Sequence, residues 1–231
     1  LNFLHSGKLG DLVWAIPSMR SVATRAGQEK ISIYLNNKYS FFSWDINAIK
    51  PLLDSQSYVK GTDWYRNDVV ATDGDVWWLD EFRAGRMKPD WNIPRFVCNH
   101  FKLPYTILDE PWLKVTPNKK AKYVFCKNQQ DVCDNPRMPW KSLVERYADE
   151  SIFLGWGPEA YQFADRFGRV CHHPTSNLLQ AAEIIAGCEK VFCSQSVHHA
   201  IAEALKKDIM LECSPAFPSV IFNRPGVVNV L

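Results

Sequence analysis

"NLLQAAEIIAGCEKVFCSQSVHHAIAEALKKDIMLEC", residues 177–213, is the stretch on which the fold turns. A helix-length apolar-periodic segment (177–188) ends at Gly-Cys, and a short apolar run (190–195) follows it. A second helical segment covers 196–207, and another apolar run closes the stretch at 208–213. Helix-length and strand-length pieces alternate with short connections, the pattern of a parallel sheet wrapped by helices.

The same alternation extends upstream. "KYVFCKN" (122–128), "SIFLGW" (151–156) and "VCHHP" (170–174) read as strands, and "PWKSLVERYAD" (139–149) and "PEAYQFADRFG" (158–168) as helices. The first half gives a looser version. "LNFLH" (1–5), "KISIYLN" (30–36), "YVKGTDWYR" (58–66) and "GDVWWLD" (74–80) are strand candidates. "GDLVWAIPSMRSVATRAG" (10–27) is helical up to Gly27, with Pro17 expected to kink or split it. "AIKPLLDS" (48–55) is weakly helical, and "WNIPRFVCNHFKL" (91–103) suits a helix that starts near Pro94. The polar, proline-rich stretch around "PWLKVTPNKK" separates the two series. The expected organisation is therefore a Rossmann-like domain over 1–108, a linker over 109–120 and a second Rossmann-like domain over 121–231.

Composition narrows the function classes. Of the 231 residues 46% are hydrophobic and 23% charged, the balance of a folded globular chain. A net charge of +2 is too small for the field of a dedicated nucleic-acid binder, although a local patch fits within it. No apolar run approaches the roughly 20 residues needed to cross a bilayer and no secretory signal is seen, so a cytoplasmic protein is expected. The seven cysteines, Cys98, Cys126, Cys133, Cys171, Cys188, Cys193 and Cys213, are scattered with no C-x-x-C pair, which argues for reduced thiols rather than a zinc cage or disulfide framework. His172, His173 and Cys171 do not make a metal-ligand set, because adjacent side chains on a strand diverge. Nine tryptophans, Trp77-Trp78 among them, serve either a core or a stacking surface, the core being favoured.

Doubly wound sheets bind ligands beyond the carboxyl ends of their strands. That directs attention to "HSGKLGD" (5–11), "NPRMP" (135–139), "GWGPE" (155–159), "HHPTSN" (172–177), "SQSVHH" (194–199) and "ECSPAF" (212–217). The first is neither a Walker A loop nor G-x-G-x-x-G. Lys8 and Gly10 line it, and Asp11 reads either as a helix-capping carboxylate or as a general base. Gly155 and Gly157 around Trp156 permit close backbone approach to a nucleotide, or simply make a turn. Glu212 ends a strand, where a carboxylate can accept ribose hydroxyls or merely face solvent. The helix start after "FCSQ" suits an anion.

"KLGDLVWAIPSMRSV" (8–22) resembles the opening of the family-9, heptosyltransferase-like glycosyltransferases, with Lys8 where many members have serine. "SIFLGWGPEAYQFADRFG", "LLQAAEIIAGCEKVFCSQSVHHAIAEAL" and "DIMLE" resemble the donor domain of the same family, in the same order, so that about half the chain is covered. The resemblance implies a GT-B fold of two Rossmann-like doubly wound domains facing a cleft. It implies inverting, metal-independent transfer from a nucleotide-sugar co-substrate, with no cofactor. By that resemblance Asp11 is the base, and Lys8 and Gly10 belong to the acceptor-side loop. Arg137 stands where the family places basic residues against the diphosphate, with Lys127 or Lys141 as assistants. Ser196 matches the serine or threonine of a D-[ST]-G turn in which Gln195 replaces the aspartate and Val197 the glycine, and His199 falls one position early on the helix.

A saccharide is the acceptor the resemblance implies. A hydroxymethylated base in DNA is the alternative, because Lys38, Lys60, Arg66, Arg83, Arg86 and Lys88 accompany the aromatics of the first half. A nucleotide-sugar epimerase, a hydrolase or a binding module without turnover would use the same scaffold.

Overall fold

β1 (Asn2–His5) is buried at all of its positions, as a strand flanked on both sides in a parallel sheet should be. It belongs to the computed structural model of the chain, which describes residues 1–36, 46–65, 76–79, 92–128, 134–214 and 217–231. The chain divides into two units, Leu1–Lys114 with Asn177–Leu179, and Val115–Ser176 with Gln180–Leu231.

In the first unit β1 is followed by α1 (Leu9–Arg25), β2 (Ile31–Leu35), α2 (Lys50–Asp54), β3 (Val59–Trp64), β4 (Val76–Trp78) and α3 (Ile93–His100). The described strands form a parallel sheet in the order β3-β2-β1-β4. Gly27 stops α1 in the left-handed conformation, at φ +66°, where a side chain would be strained. Asn92 caps α3 by accepting from the Arg95 amide at 3.0 Å, which leaves Pro94 in the first turn.

Of the two outcomes expected at Pro17, a kink or a split, the split does not occur, since α1 runs unbroken from Leu9 to Arg25. A proline cannot donate to the carbonyl four residues back, here that of Val13. The indole Nε1 of Trp112 donates to that oxygen at 3.0 Å, and the Trp14 ring packs 6.2 Å from the Trp112 ring. Trp112 comes from the segment expected to be a linker. Its first part is bound into the first unit, since Tyr58 Oη donates to the Trp112 carbonyl and Gln56 exchanges two hydrogen bonds with the Lys114 backbone. Further on, the Asn118 amide donates to the Glu183 carbonyl within the second unit.

The second unit contains β5 (Tyr123–Cys126), α4 (Trp140–Tyr147), β6 (Ser151–Phe153), α5 (Gly157–Phe167), β7 (Cys171–His172), all but the first two residues of α6 (Leu178–Gly187), β8 (Lys190–Ser194), α7 (Val197–Ala204), β9 (Asp208–Glu212) and β10 (Val227–Val230). Its parallel sheet has the order β10-β9-β8-β5-β6-β7. The chain steps outward from β5 to β7, then returns to the other side of β5 and steps outward again. That is the doubly wound order, with its reversal between β5 and β8. Phe153, Phe125 and Phe192 stand side by side across β6, β5 and β8, and Trp140 and Phe163 pack on this row from α4 and α5. The aromatic core thus lies beneath the strand ends that form the candidate site. β10 was not anticipated from the sequence, although "GVVNV" after Arg224-Pro225 carries a β-branched strand signal.

Candidate functional site

The loop from β1 into α1 places Asp11 at the third residue of the helix, where its Oδ2 accepts from the Lys8 amide at 3.2 Å. The Lys8 carbonyl, in turn, accepts from the Leu12 amide and contacts His5 Nε2 at 3.2 Å. A carbonyl oxygen only accepts, so His5 carries a proton on Nε2. Asp11 is 7% exposed, whereas the Lys8 side chain is turned to solvent and Gly10 is half-buried. A carboxylate in the first turn faces the positive end of the helix dipole. The capping interaction is therefore realised, and it leaves base chemistry open to the same carboxylate.

In the second unit the residues at the sheet reversal converge. Asn128 lies just past β5: its amide donates to Ser194 Oγ at 3.1 Å, its Oδ1 accepts from the Ser194 hydroxyl at 3.4 Å, and its Nδ2 donates to the Gln195 carbonyl at 3.1 Å. These bonds join the ends of β5 and β8. The Gln195 side chain reaches the other way, with Oε1 accepting from the Ser214 amide at 3.0 Å and Nε2 donating to the Phe217 carbonyl at 2.8 Å. Ser196 occupies the N-cap position of α7 without a side-chain capping bond, and its buried Oγ has no hydrogen-bond partner among the described residues.

Glu212 ends β9 and is 0% exposed. Its Oε2 pairs with Lys127 Nζ at 2.6 Å and its Oε1 accepts from the Asn135 amide at 3.0 Å. The carboxylate is thus turned into the protein rather than presented at the surface as a solvated strand-end group. Lys127 Nζ also lies 3.4 Å from Asp134. The Arg166 guanidinium, hydrogen-bonded to both Asp134 oxygens, holds that carboxyl below its usual range, with Lys127 adding to the effect. Arg137 is exposed, and its Nη1 donates to the Leu231 carbonyl at 2.9 Å.

His198 and His199 occupy the first turn of α7. Burial pushes His198 down to about 4. His199 is pushed to about 3 by burial and, secondarily, by the Arg224 cation. Both are neutral near pH 7, so neither supplies a positive charge to an anion there. Burial pushes the Cys126 and Cys193 thiols, neighbours across β5 and β8, well above their ordinary range and leaves them poor nucleophiles.

Gly155, after β6, has φ +156°, and a Cβ there would overlap Glu159 and Phe153. Glu159 Oε2 accepts from the Trp156 amide at 2.8 Å, and burial raises its carboxyl above the usual range. The Trp156 ring is 76% exposed, in contrast to Trp14, Trp112 and Trp140, which are core residues. His172 Nε2 bonds the Gly155 carbonyl at 3.0 Å. Among the described residues no three His, Cys, Asp or Glu side chains are grouped to hold a metal ion. The site therefore gathers Lys127, Arg137, Gln195, Ser196 and Glu212 at the strand ends β5, β8 and β9. Asn128, Asp134, Asn135 and Arg166 were not singled out from sequence, and only Asn135 falls in one of the loops that were, 135–139. Of the cations considered for DNA, Lys60 is exposed on β3. Lys38, Arg66, Arg83, Arg86 and Lys88 lie outside the described residues, as does Cys133.

The sequence matches no protein-family profile and no curated protein. Its structure is similar to solved structures over nearly its full length. One is the E. coli ADP-heptose lps heptosyltransferase II, with TM-score 0.67, 13% identity, and coverage of 99% of this chain and 89% of that one. Another is E. coli heptosyltransferase WaaC with ADP-2-deoxy-2-fluoro heptose, with TM-score 0.63, 12% identity, and coverage of 100% and 93%. The chain has a GT-B-type fold. A family 9 glycosyl transferase from Veillonella parvula is similar at TM-score 0.62 and 8% identity, with coverage of 99% and 86%. The GT-B relationship is thus structural, at 8–13% identity. No helix among the described residues is long and apolar enough to cross a membrane.

Proposed function

We propose that this chain is an inverting, metal-independent glycosyltransferase that moves a sugar from a nucleotide-activated donor to an acceptor hydroxyl. The observation that carries the reading is the position of Asp11, a buried carboxylate fixed by the Lys8 amide at the end of the first strand of a GT-B-type chain. In this reading Asp11 takes the proton of the acceptor hydroxyl while the hydroxyl oxygen bonds to the anomeric carbon. The bond from that carbon to the donor phosphate oxygen breaks, and the electron pair leaves with the nucleoside diphosphate. A positioned base contributes about 10²–10⁴-fold to such a step.

The departing diphosphate is met by Arg137 and the amides at the start of α7, with Ser196 as the hydroxyl there. Trp156, exposed beside the end of β6, offers a stacking face for the base. Lys127, Gln195 and Glu212 act within the protein to hold these loops, and neutral His199 is buried in the first turn of α7. A saccharide is the proposed acceptor.

The similar E. coli heptosyltransferases, one with an ADP-heptose analogue and one an ADP-heptose transferase, make an ADP-sugar the first donor to test. Mass spectrometry of nucleotide release from ADP-, UDP- and GDP-sugars, with and without candidate saccharides, is the experiment. Acceptor-dependent release supports transfer. Release without an acceptor marks a hydrolase, a changed sugar nucleotide an epimerase, and binding without release a binding module. Asp11→Asn retains an oxygen that can accept from the Lys8 amide, so folding should be kept and nucleotide affinity unchanged. Transfer should fall at least about 100-fold, and a fully active Asp11→Asn enzyme would overturn the assignment.

A further inference from the structure

Arg137 lies on an exposed loop, yet one residue of that loop is bound more completely than its neighbours. Asn135 uses every hydrogen-bonding group of its side chain. Nδ2 donates to the Cys213 carbonyl at 3.1 Å and to the Val230 carbonyl at 3.0 Å, while Oδ1 accepts from the Arg137 amide at 3.0 Å. Its backbone amide donates to Glu212 Oε1 at 3.0 Å. Glu212 is itself fixed by Lys127, which rises from the end of β5. Three strand ends therefore meet at Asn135, those of β5 through Lys127 and Glu212, of β9 through Cys213, and of β10 through Val230.

Only a carboxamide fits this position. Two carbonyl acceptors require two N–H donors on one planar group, and the Arg137 amide requires an acceptor on the same group. An aspartate would set a carboxylate against two carbonyl oxygens, and an apolar residue would leave all three partners without their bonds.

We propose that Asn135 is the positioning residue of the anion-binding half-site. It carries the register of β9 and β10 to the Arg137 backbone, and with the guanidinium donating to the Leu231 carbonyl, Arg137 is positioned for the diphosphate of a nucleoside diphosphate ligand. The buried Glu212–Lys127 pair anchors Asn135, which gives Glu212 a role through Arg137 rather than on a ribose. The inference rests on the nucleotide-binding reading above, and it requires that a change at Asn135 act through Arg137 and on the phosphates alone.

The test uses the full chain and whichever of ADP, UDP and GDP it binds, together with the matching nucleoside. Affinities are measured for the wild type, Asn135→Ala, Arg137→Ala and the double variant. Asn135→Ser, which keeps one hydroxyl at the position, serves if Asn135→Ala does not fold. Asn135→Ala or Asn135→Ser should weaken the diphosphate about ten-fold, the effect of one lost charge-assisted hydrogen bond. The nucleoside should change less than two-fold, and the double variant should bind the diphosphate no worse than Arg137→Ala. Equal losses for nucleoside and diphosphate, or additive losses in the double variant, would reduce Asn135 to a structural role and overturn the proposal. A wild-type chain that binds none of the three diphosphates removes the nucleotide reading, and the inference with it.

Discussion

Trp112 shows how a single side chain can rescue a helix that its own sequence should interrupt. Pro17 withdraws the amide that would serve the Val13 carbonyl, and that carbonyl is buried. Left without a donor it would cost about 1–3 kcal/mol. The Trp112 indole supplies the donor at 3.0 Å. Trp112→Phe should therefore destabilise the chain by about 1–3 kcal/mol in urea denaturation, beyond the small change in apolar area. In a Pro17→Ala background the residue 17 amide can serve Val13 again, and the loss from Trp112→Phe should shrink by at least about 1 kcal/mol. Equal losses in both backgrounds would show that packing against Trp14, not the hydrogen bond, is what Trp112 supplies. The sequence could flag Pro17 as a breaker, but the remedy comes from 95 positions later, and no local pattern announces that pairing. Asp11 is the opposite case, because a carboxylate three residues into a helix announces a cap from sequence, and the Lys8 amide bears this out.

Among the elements, α7 had a legible position and an illegible interior. Its place after β8 follows from alternating apolar runs, but nothing in "SVHHAIAEAL" says that both histidines are desolvated. Their ordinary value is 6.5, and burial lowers His198 to about 4 and His199 to about 3. The unfolded chain then binds protons that the folded chain refuses. Their contribution to stability is complete above pH 6.5 and is lost as the pH falls toward the folded values. Each histidine can account for up to about 1.4 kcal/mol per pH unit within that window. Urea midpoints measured between pH 7 and 5 should fall, and His198→Gln with His199→Gln should flatten the slope even if it lowers stability overall. An unchanged slope would mean that other groups carry the dependence. α6 ends under a different constraint. Gly187 has no room for a Cβ, which would overlap the Asn118 backbone. Gly187→Ala should cost about 1–3 kcal/mol in the same assay, the usual penalty of overpacking against backbone that must move.

At the scale of the whole molecule, two parallel sheets account for what the sequence could convey and what it could not. Alternation of strands and helices was legible in both halves because the inner strands, such as β1, β5 and β8, are apolar runs buried at nearly every position. The strand order was not, since order depends on which edge each returning strand joins. Likewise β10, a short run after Arg224-Pro225, completes the six-stranded order only when its pairing with β9 is known. That order fixes where a nucleotide should be felt. The reversal between β5 and β8 brings Lys127, Asn128, Gln195 and Ser196 to one edge, with Glu212 beside them. A ligand held there at about 100 times its dissociation constant would stabilise the folded state by roughly 2.7 kcal/mol. Amide hydrogen exchange with and without ADP should therefore slow over 126–128, 134–137, 194–199 and 212–214, by up to about 100-fold where opening requires the second unit to unfold. The amides of β1 to β4 should change far less, because the proposed diphosphate site draws on the strand ends of the second sheet. Protection confined to β1, β2 and the start of α1 would place the nucleotide on the wrong unit, and the assignment of donor and acceptor halves would have to be exchanged.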